Sequence, residues 1–529
     1  MDDLTYQRLR AKAQLTKDLF TFDQFIRHWA ADRPNRVAME GDDLAFTFAE
    51  LEDVTARVAS ALLALGVAKG ERVAWFGKNS VTYFALFFGA ARAGVVMVPV
   101  GWRLAEPEAA FILDNAEAKL LFLGDGFEGC AATLGARPGL IRCFTSDEAR
   151  RELIAAPRGQ FEPSVPDDAV LQLYTSGTTG QPKGAVLSNR NLFGLRKAAL
   201  ENPPHYTLWD EDEAVLVAMP CAHIGGTGLG IVALASGLPG IVLSEFEPSR
   251  VFDAVENRGV TRFFIVPAAL QMLLNHPDCA STDFSGVKYI LYGASPIPLE
   301  LLRQCIAMIG AEFVQNYGMT ETTGTICVLP PEDHSVEGNP RMRSAGKPVA
   351  GVEIVIRGPD GAALPQGEIG EIVTRSSANM LGYWKLPEAT ASTMDADGWI
   401  ATGDVGYLDA DGYVYMFDRA KDMIITGGEN VYPAEVESAI YGHPDVLEVA
   451  VIGVPDAKWG EAVKAVCVPK PGCSVEPDSI IAWTRERVAG FKVPKSVDVI
   501  EALPRNPSGK ILRRALREPY WAGQERQIN

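Results

Sequence analysis

The sequence predicts an α/β protein: a large N-terminal part of parallel-rich sheets covered by helices, then a β-rich subdomain, then a small α+β domain. Three observations carry this. A strand–helix–strand rhythm recurs up to about residue 316, which implies parallel strands with covering helices. After Gly351 short strands and turns take over, as in Gly358-Pro359-Asp360-Gly361 and Asp409-Ala410-Asp411-Gly412. The last stretch has its own strand–helix pattern, enough for a separate core. At 529 residues the chain is too long for one ordinary core.

In order, 21–34 opens with Phe22, Phe25, Ile26 and Trp29 at helical spacing. Thr47 and Glu50 form a capping box for a helix running through Ala56, Ala59 and Leu63 to Gly66. A strand at 72–76, a helix at 80–93 and a strand at 95–100 follow. Further strands are expected at 119–123, 214–219, 240–244, 262–266, 287–292 and 312–316. Asp418-Arg419-Ala420-Lys421-Asp422 reads as a junction, so the domains are 1–418 and 419–529. In the second, strands at 449–453 and 462–468 precede a helix at 478–489.

Composition narrows the class. Lys plus Arg number 49 and Asp plus Glu 67, a net charge of −18 that disfavours non-specific nucleic-acid binding. The eight cysteines form no C-x-x-C, and with no signal peptide they read as reduced thiols of a cytoplasmic protein. Six scattered histidines give no metal cluster. The stretch 222–244 has no charged side chain, yet Gly225, Gly226, Gly228, Gly230, Gly237, Pro239 and Gly240 are expected to break it into a loop, a short helix and a strand. It is read as buried or pocket-lining, with no transmembrane segment.

The chemistry centres on Tyr174-Thr175-Ser176-Gly177-Thr178-Thr179-Gly180-Gln181-Pro182-Lys183-Gly184, a loop between strands at 168–174 and 185–187. Glycines bring backbone N–H groups close to a ligand, successive N–H groups make a concave anion site, and hydroxyls and a lysine add donors. The guest is a polyphosphate. A Walker A loop is disfavoured, because Lys183 lies between Pro182 and Gly184 with no adjacent Ser or Thr for magnesium. The plain alternative is a surface hairpin rich in turn residues.

Thr-Ser-Gly-Thr-Thr-Gly-x-Pro-Lys-Gly resembles the phosphate loop of the adenylate-forming superfamily of acyl-CoA synthetases, luciferases and peptide-synthetase adenylation domains. Further motifs extend the resemblance over essentially the whole chain, and it is nearest to fatty-acyl-CoA or aryl-CoA ligases. Met219-Pro220-Cys221-Ala222-His223 is similar to a segment whose His closes a wall of the acid pocket, with Cys221-Ala222 replacing a commoner bulky pair. Gly293-Ala294-Ser295 matches the turn beside adenine. In Gln315-Asn316-Tyr317-Gly318-Met319-Thr320-Glu321, the resemblance implies that Tyr317 stacks on adenine, Thr320 touches phosphate and Glu321 holds Mg²⁺. Gly318 is expected to permit close approach, and Asn316 lies in the same nucleotide segment. Asp404, in Thr402-Gly403-Asp404, and Arg419 match ribose-binding positions. Lys421 matches an interdomain hinge, Gly427-Gly428 a surface for a pantetheine arm, and Lys510 a lysine that enters the site during adenylation.

The resemblance implies a mobile C-terminal domain and an ATP-dependent acid–CoA ligase. Lys510, Mg²⁺ on Glu321, and Thr175, Ser176, Gly177, Thr178, Thr179 and Lys183 would bind and polarise the phosphates, with Thr178 and His223 among the catalytic groups. ATP, Mg²⁺ and coenzyme A are the expected cofactors, and a homodimer is compatible with the sequence. With no Gly-Gly-x-Ser attachment signal, the thiol is expected to be coenzyme A; loading of a separate carrier protein is the alternative. A luciferase-type oxygenase shares the motifs, and a catalytically dead binding protein is disfavoured by intact Lys510, Glu321 and Asp404. The stretch 224–229 offers no charge, so the acid is expected to be an apolar medium- or long-chain fatty acid, with an aryl or hydroxycinnamate-type acid as alternative.

Overall fold

The computed structural model describes residues 2–175, 181–419, 422–426, 429–456, 458–505 and 511–521. Apolar runs such as Arg72–Phe76 and Val96–Val100 are buried along their whole length, as strands covered on both faces must be. They pair in parallel within a seven-stranded sheet, whose other parallel members are Ala118–Leu123 and Arg142–Thr145. Beside Val96–Val100 that sheet continues into the antiparallel pair Ala169–Thr175 and Lys183–Ser188, and ends on Gly382–Tyr383. A nine-stranded sheet carries the parallel strands Val215–Val217, Arg262–Ile265, Tyr289–Gly293 and Glu312–Met319, the last paired antiparallel to Gly324–Leu329.

The helix Val81–Arg92 is apolar all round and buried on every side. Its phenylalanines belong to one core with Val73, Met97 and Leu171 from the first sheet and Met39, Val217 and Val242 from the second. The fully buried Arg92 at its end is neutralised by Asp23 at 2.7 Å and Glu52 at 3.1 Å. The expected capping box at Thr47 and Glu50 starts the helix Phe48–Ala64, and a second, Thr21 with Gln24, starts Phe22–Asp32.

The 222–244 stretch divides as expected into a loop, the helix Ile224–Ser236 and the strand Gly240–Val242, but Gly225, Gly226, Gly228 and Gly230 are not the residues that break it: all four lie inside the helix. Packing overrides glycine's low helix propensity. A Cβ at Gly226 would stand 2.3 Å from the Met219 and Pro220 carbonyl oxygens, and one at Gly230 would stand 2.2 Å from the Phe84 ring. No helix of the described residues is long and apolar enough to cross a membrane.

The β-rich subdomain is an antiparallel sheet of Glu353–Arg357, Gly370–Arg375, Ile400–Leu408 and Val414–Arg419. Beyond it, Val446–Asp456 and Gly460–Pro469 form the long hairpin of a five-stranded sheet covered by Pro433–Tyr441 and Pro477–Arg485. This unit has its own core around Val436, Ile440, Val451 and Ala465. Tyr441 packs against that core and against the cluster around Leu270 and Leu302, and its hydroxyl donates to Gln271 Oε1. Burial, then the nearby Glu448 charge, raises the phenol's pKa.

Candidate active site

The stretch read as a polyphosphate loop lies between the antiparallel strands Ala169–Thr175 and Lys183–Ser188, with Thr175 and Lys183 directly opposite each other at the mouth of the hairpin. Behind it, Tyr174 donates to Asn115 Oδ1 at 2.6 Å and accepts from Gln172 Nε2 at 3.1 Å. Gln172 accepts from Arg72 Nε at 3.2 Å, and the Arg72 guanidinium lies 3.3 Å from the Trp384 ring centroid. Gly184 leaves room for this network, since a Cβ there would stand 2.6 Å from Gln172 Nε2.

Glu321 is brought to the same mouth. It sits in the single turn Thr320–Thr322 between the strands Glu312–Met319 and Gly324–Leu329, and is 5% exposed. Thr323, next along, takes φ +57°, a left-handed conformation that non-glycine residues seldom adopt. Glu321 Oε1 accepts from the Tyr383 hydroxyl at 2.6 Å and from Thr175 Oγ1 at 3.4 Å. The Lys183 ammonium stands 5.0 Å from the centroid of the Tyr383 ring. Tyr383 was not singled out in the sequence. It belongs to a two-residue strand, and its partner Glu321 is 62 positions away, so no local pattern marks it.

A second group of residues gathers beyond the C-terminal ends of the parallel strands, where ligands of α/β sheets bind. Tyr289–Gly293 and Glu312–Met319 run side by side with Gly293 opposite Asn316. Ala294 has φ +66°, so the predicted turn is a strained one. Ser295 follows it, half-buried. Asn316 Oδ1 accepts from Thr325 Oγ1 at 3.3 Å, while its Nδ2 is buried and, among the described residues, has no hydrogen-bond partner. Such a donor is costly unless something else accepts from it.

Tyr317 is 8% exposed, and its hydroxyl donates to Asp404 Oδ2 at 2.7 Å. Burial, then the Asp404 charge, raises its pKa. Asp404 stands opposite Arg419 in the antiparallel register, and its N–H donates to Thr402 Oγ1 at 3.1 Å. Thr320 is half-buried beside Glu321. Gly318 has a role the sequence did not reveal. A Cβ there would stand 1.6 Å from the Gly324 carbonyl oxygen, so the neighbouring strand already requires glycine. Gly293 is likewise fixed by the Asn316 carbonyl, 2.0 Å from a Cβ placed on it.

His223, expected at the acid pocket, is the N-cap residue of Ile224–Ser236 and is half-buried. Cys221 is the small buried residue expected, its thiol pushed up to about 12 by burial. Ile224 reaches toward Gly228 and Gly324, while Phe264 stands 2.9 Å from a Cβ placed on Gly225. Thr227 instead turns into the core, bonded to Tyr83 at 2.7 Å and to the Cys221 carbonyl at 2.6 Å. Ser176, Gly177, Thr178, Thr179, Lys421, Gly427, Gly428 and Lys510 lie outside the described residues, as does the side chain of Arg419.

Comparison with known proteins gives this arrangement its class. The family model for AMP-binding enzymes matches residues 26–384, and that for the AMP-binding enzyme C-terminal domain matches 435–510. The fatty acid–[acyl-carrier-protein] ligase ScoC of Streptomyces coeruleorubidus is 40% identical over 516 residues, spanning 97% of this chain and 98% of that one. A feruloyl-CoA synthase of an Amycolatopsis species is also 40% identical, over 94% of this chain and 99% of its own. Among solved structures, a Mycobacterium tuberculosis fatty acyl CoA synthetase superposes with a TM-score of 0.74 at 34% identity, covering 96% and 99% of the two chains. The chain belongs to the AMP-binding enzyme family and is an enzyme of its acyl-CoA synthetase class.

Proposed function

We propose that the protein joins an apolar carboxylic acid to the thiol of coenzyme A in two steps. The acid's oxygen attacks the α-phosphorus of ATP and pyrophosphate leaves, giving an acyl-adenylate. The thiol sulfur then attacks the acyl carbon, AMP leaves and the thiol proton is released, giving the thioester. A free carboxylate is a poor acyl donor because oxide would have to leave; the adenylate replaces that leaving group with AMP. Catalysis of the first step is then a matter of positioning and electrostatic stabilisation.

The observation that carries this reading is the convergence of Glu321, Thr175 and Lys183 at one end of the hairpin. The residues fit the groups they would hold. Glu321 Oε1 is engaged by two hydroxyls, while among the described residues no donor reaches Oε2, which suits one carboxylate contact to a divalent cation. A bound Mg²⁺ would neutralise charge on the triphosphate. The unpartnered Asn316 Nδ2 suits an acceptor nitrogen of adenine, beside the turn at Gly293, Ala294 and Ser295. We assign Asp404 and Arg419 to the ribose, Thr320 to phosphate, and Thr178 and Lys510 to the reacting phosphates. Gly427-Gly428 would pass the pantetheine arm.

We divide the chain at 418/419, with Lys421 as the hinge. The acid class follows from the helix Ile224–Ser236: residues 224–229 carry no charge, and Gly228 leaves room beside Ile224. Burying an unpaired charge there would cost several kcal/mol, so dicarboxylates and amino acids are rejected. A medium- or long-chain fatty acid fits best; an aryl or hydroxycinnamate-type acid is the second reading, favoured by 40% identity to a feruloyl-CoA synthase.

The test is acid-dependent ATP–pyrophosphate exchange, then AMP release with coenzyme A or a phosphopantetheinylated carrier protein, across acetate, hexanoate, decanoate, palmitate, benzoate and a hydroxycinnamate. An optimum in kcat/KM at decanoate or palmitate with coenzyme A is the expected result. An optimum at acetate or at any amino acid overturns the acid assignment.

A further inference from the structure

Tyr383 joins the two opposite charges at the hairpin mouth without letting them meet. Its O–H donates to Glu321 Oε1 at 2.6 Å, while the face of its ring lies 5.0 Å from the Lys183 ammonium. Among the described residues, no ion pair links Lys183 to Glu321, although each touches the same tyrosine. Left unspaced, an ammonium and a carboxylate beside the same ring would attract one another, and each would weaken the other as a ligand for phosphate or metal.

The ring is rigidly held. Tyr383 is 9% exposed and pairs with Ala185 on the Lys183–Ser188 strand. Leu381 N–H donates to the Val186 carbonyl at 2.9 Å and Trp384 N–H to the Gly184 carbonyl at 2.8 Å. On its other side, Met380 N–H donates to the Glu321 carbonyl at 2.8 Å and Thr323 Oγ1 to the Ala378 carbonyl. Segment 378–384 therefore ties the turn of Glu321 to the downstream arm of the hairpin, and Tyr383 is where that strap reaches the charges.

We propose that Tyr383 is a positioning residue that holds the Glu321 carboxylate oriented for a divalent cation and keeps Lys183 apart from it, free for phosphate. The inference rests on Glu321 as the metal ligand of the proposed adenylation step. The Tyr383 hydroxyl holds Oε1, and among the described residues no donor reaches Oε2. Its ring face holds the ammonium by cation–π attraction, a contact that a phosphate can replace as substrate arrives.

The experiment measures nucleotide and metal binding directly, with no turnover. Mn²⁺ binding to the enzyme–ATP complex is followed by electron paramagnetic resonance, and ATP binding in EDTA by calorimetry, for wild type, Tyr383→Phe, Tyr383→Leu and Glu321→Gln. Tyr383→Phe keeps the ring and loses only the hydroxyl. It is expected to weaken Mn²⁺ about tenfold, the scale of one hydrogen bond to a charged group, with ATP binding in EDTA within about twofold of wild type. Tyr383→Leu is expected to weaken ATP in EDTA as well, by about threefold or more, as Lys183 turns to Glu321. Wild-type Mn²⁺ affinity in Tyr383→Phe, with Glu321→Gln impaired, overturns the positioning role while sparing the metal assignment. Wild-type Mn²⁺ affinity in Glu321→Gln overturns both. Equal loss of ATP binding with and without metal in Tyr383→Phe also overturns it, because the effect would then not be specific to the cation.

Discussion

Tyr317 donates its hydroxyl hydrogen to Asp404 Oδ2 at 2.7 Å, joining the nine-stranded sheet to the antiparallel β-rich sheet. The residue assigned to the base and the residue assigned to the sugar are thus one bonded unit. The bond orients the carboxylate from one side. If Asp404 accepts both ribose hydroxyls, wild type should bind 2′-deoxy-ATP less tightly than ATP. Asp404→Ala should weaken ATP about tenfold or more and abolish that discrimination. Competition binding with the two nucleotides measures both, and discrimination retained in Asp404→Ala would remove Asp404 from the ribose.

Lys510→Ala should abolish acid-dependent pyrophosphate exchange yet largely spare thioester formation from supplied acyl-adenylate, since its proposed role is confined to the phosphate step. Lys421→Pro fixes φ at the proposed hinge and should do the reverse. Rapid-quench assays of each half-reaction separate the two. Equal loss in both halves for Lys510→Ala would count against its assignment, and unchanged turnover in Lys421→Pro against the hinge.

His334 gives a pH prediction. Its Nε2 lies 3.0 Å from the Tyr292 hydroxyl and its Nδ1 2.8 Å from the Pro330 carbonyl. Burial pushes the imidazole from 6.5 down to about 4, against the opposing pull of the Pro330 carbonyl and Asp333. A lowered imidazole means that the unfolded chain binds the extra proton between pH 6.5 and 4. Stability is therefore fully present above 6.5 and is lost as pH falls through that window. Between pH 7 and 5, wild type should lose about 2 kcal/mol more than His334→Gln, read from urea midpoints at each pH. Parallel curves for the two proteins would show that His334 does not titrate this way.

Two glycines of the helix Ile224–Ser236 should behave oppositely when given a side chain. A Cβ at Gly226 would stand 2.3 Å from two backbone carbonyl oxygens, whereas one at Gly228 meets only Ile224 at 3.8 Å. Gly226→Ala should destabilise the fold by about 1–3 kcal/mol or more, seen in thermal unfolding. Gly228→Phe should fold normally and narrow the acid pocket. Each methylene that no longer fits would forfeit up to about 0.8 kcal/mol, nearly fourfold in kcat/KM, so the optimum moves to shorter acids. An unshifted chain-length profile in Gly228→Phe would place Gly228 outside the pocket.

What the sequence revealed and what it hid follow from the range of the interactions. The helix Phe48–Ala64 and the hairpin at Thr175 and Lys183 are written locally, in a capping box and in turn residues between alternating runs. Glu321 was singled out as a carboxylate in a Tyr-Gly-x-Thr segment, and the structure brings it to Thr175 at the hairpin mouth. The glycines at 225–230 misled because propensity is local, while their reason, the Phe84 ring and the carbonyls of 219 and 220, arrives through packing. At Gly318 a further need for a bare Cα is set by the strand bearing Gly324, which no local pattern announces. Tyr383 and His334 were invisible because each acts on a residue tens of positions away.

Tyr441 also bears on how the protein keeps time. Its ring is shared between two hydrophobic cores, and its hydroxyl is tied to Gln271. If the C-terminal unit turns about Lys421 as proposed, this one aromatic would be pulled from its socket and wetted. Tyr441 would then be a detent, a shallow catch that sets how long the unit dwells before it swings, and Tyr441→Ala would shorten that dwell without touching either set of reacting atoms.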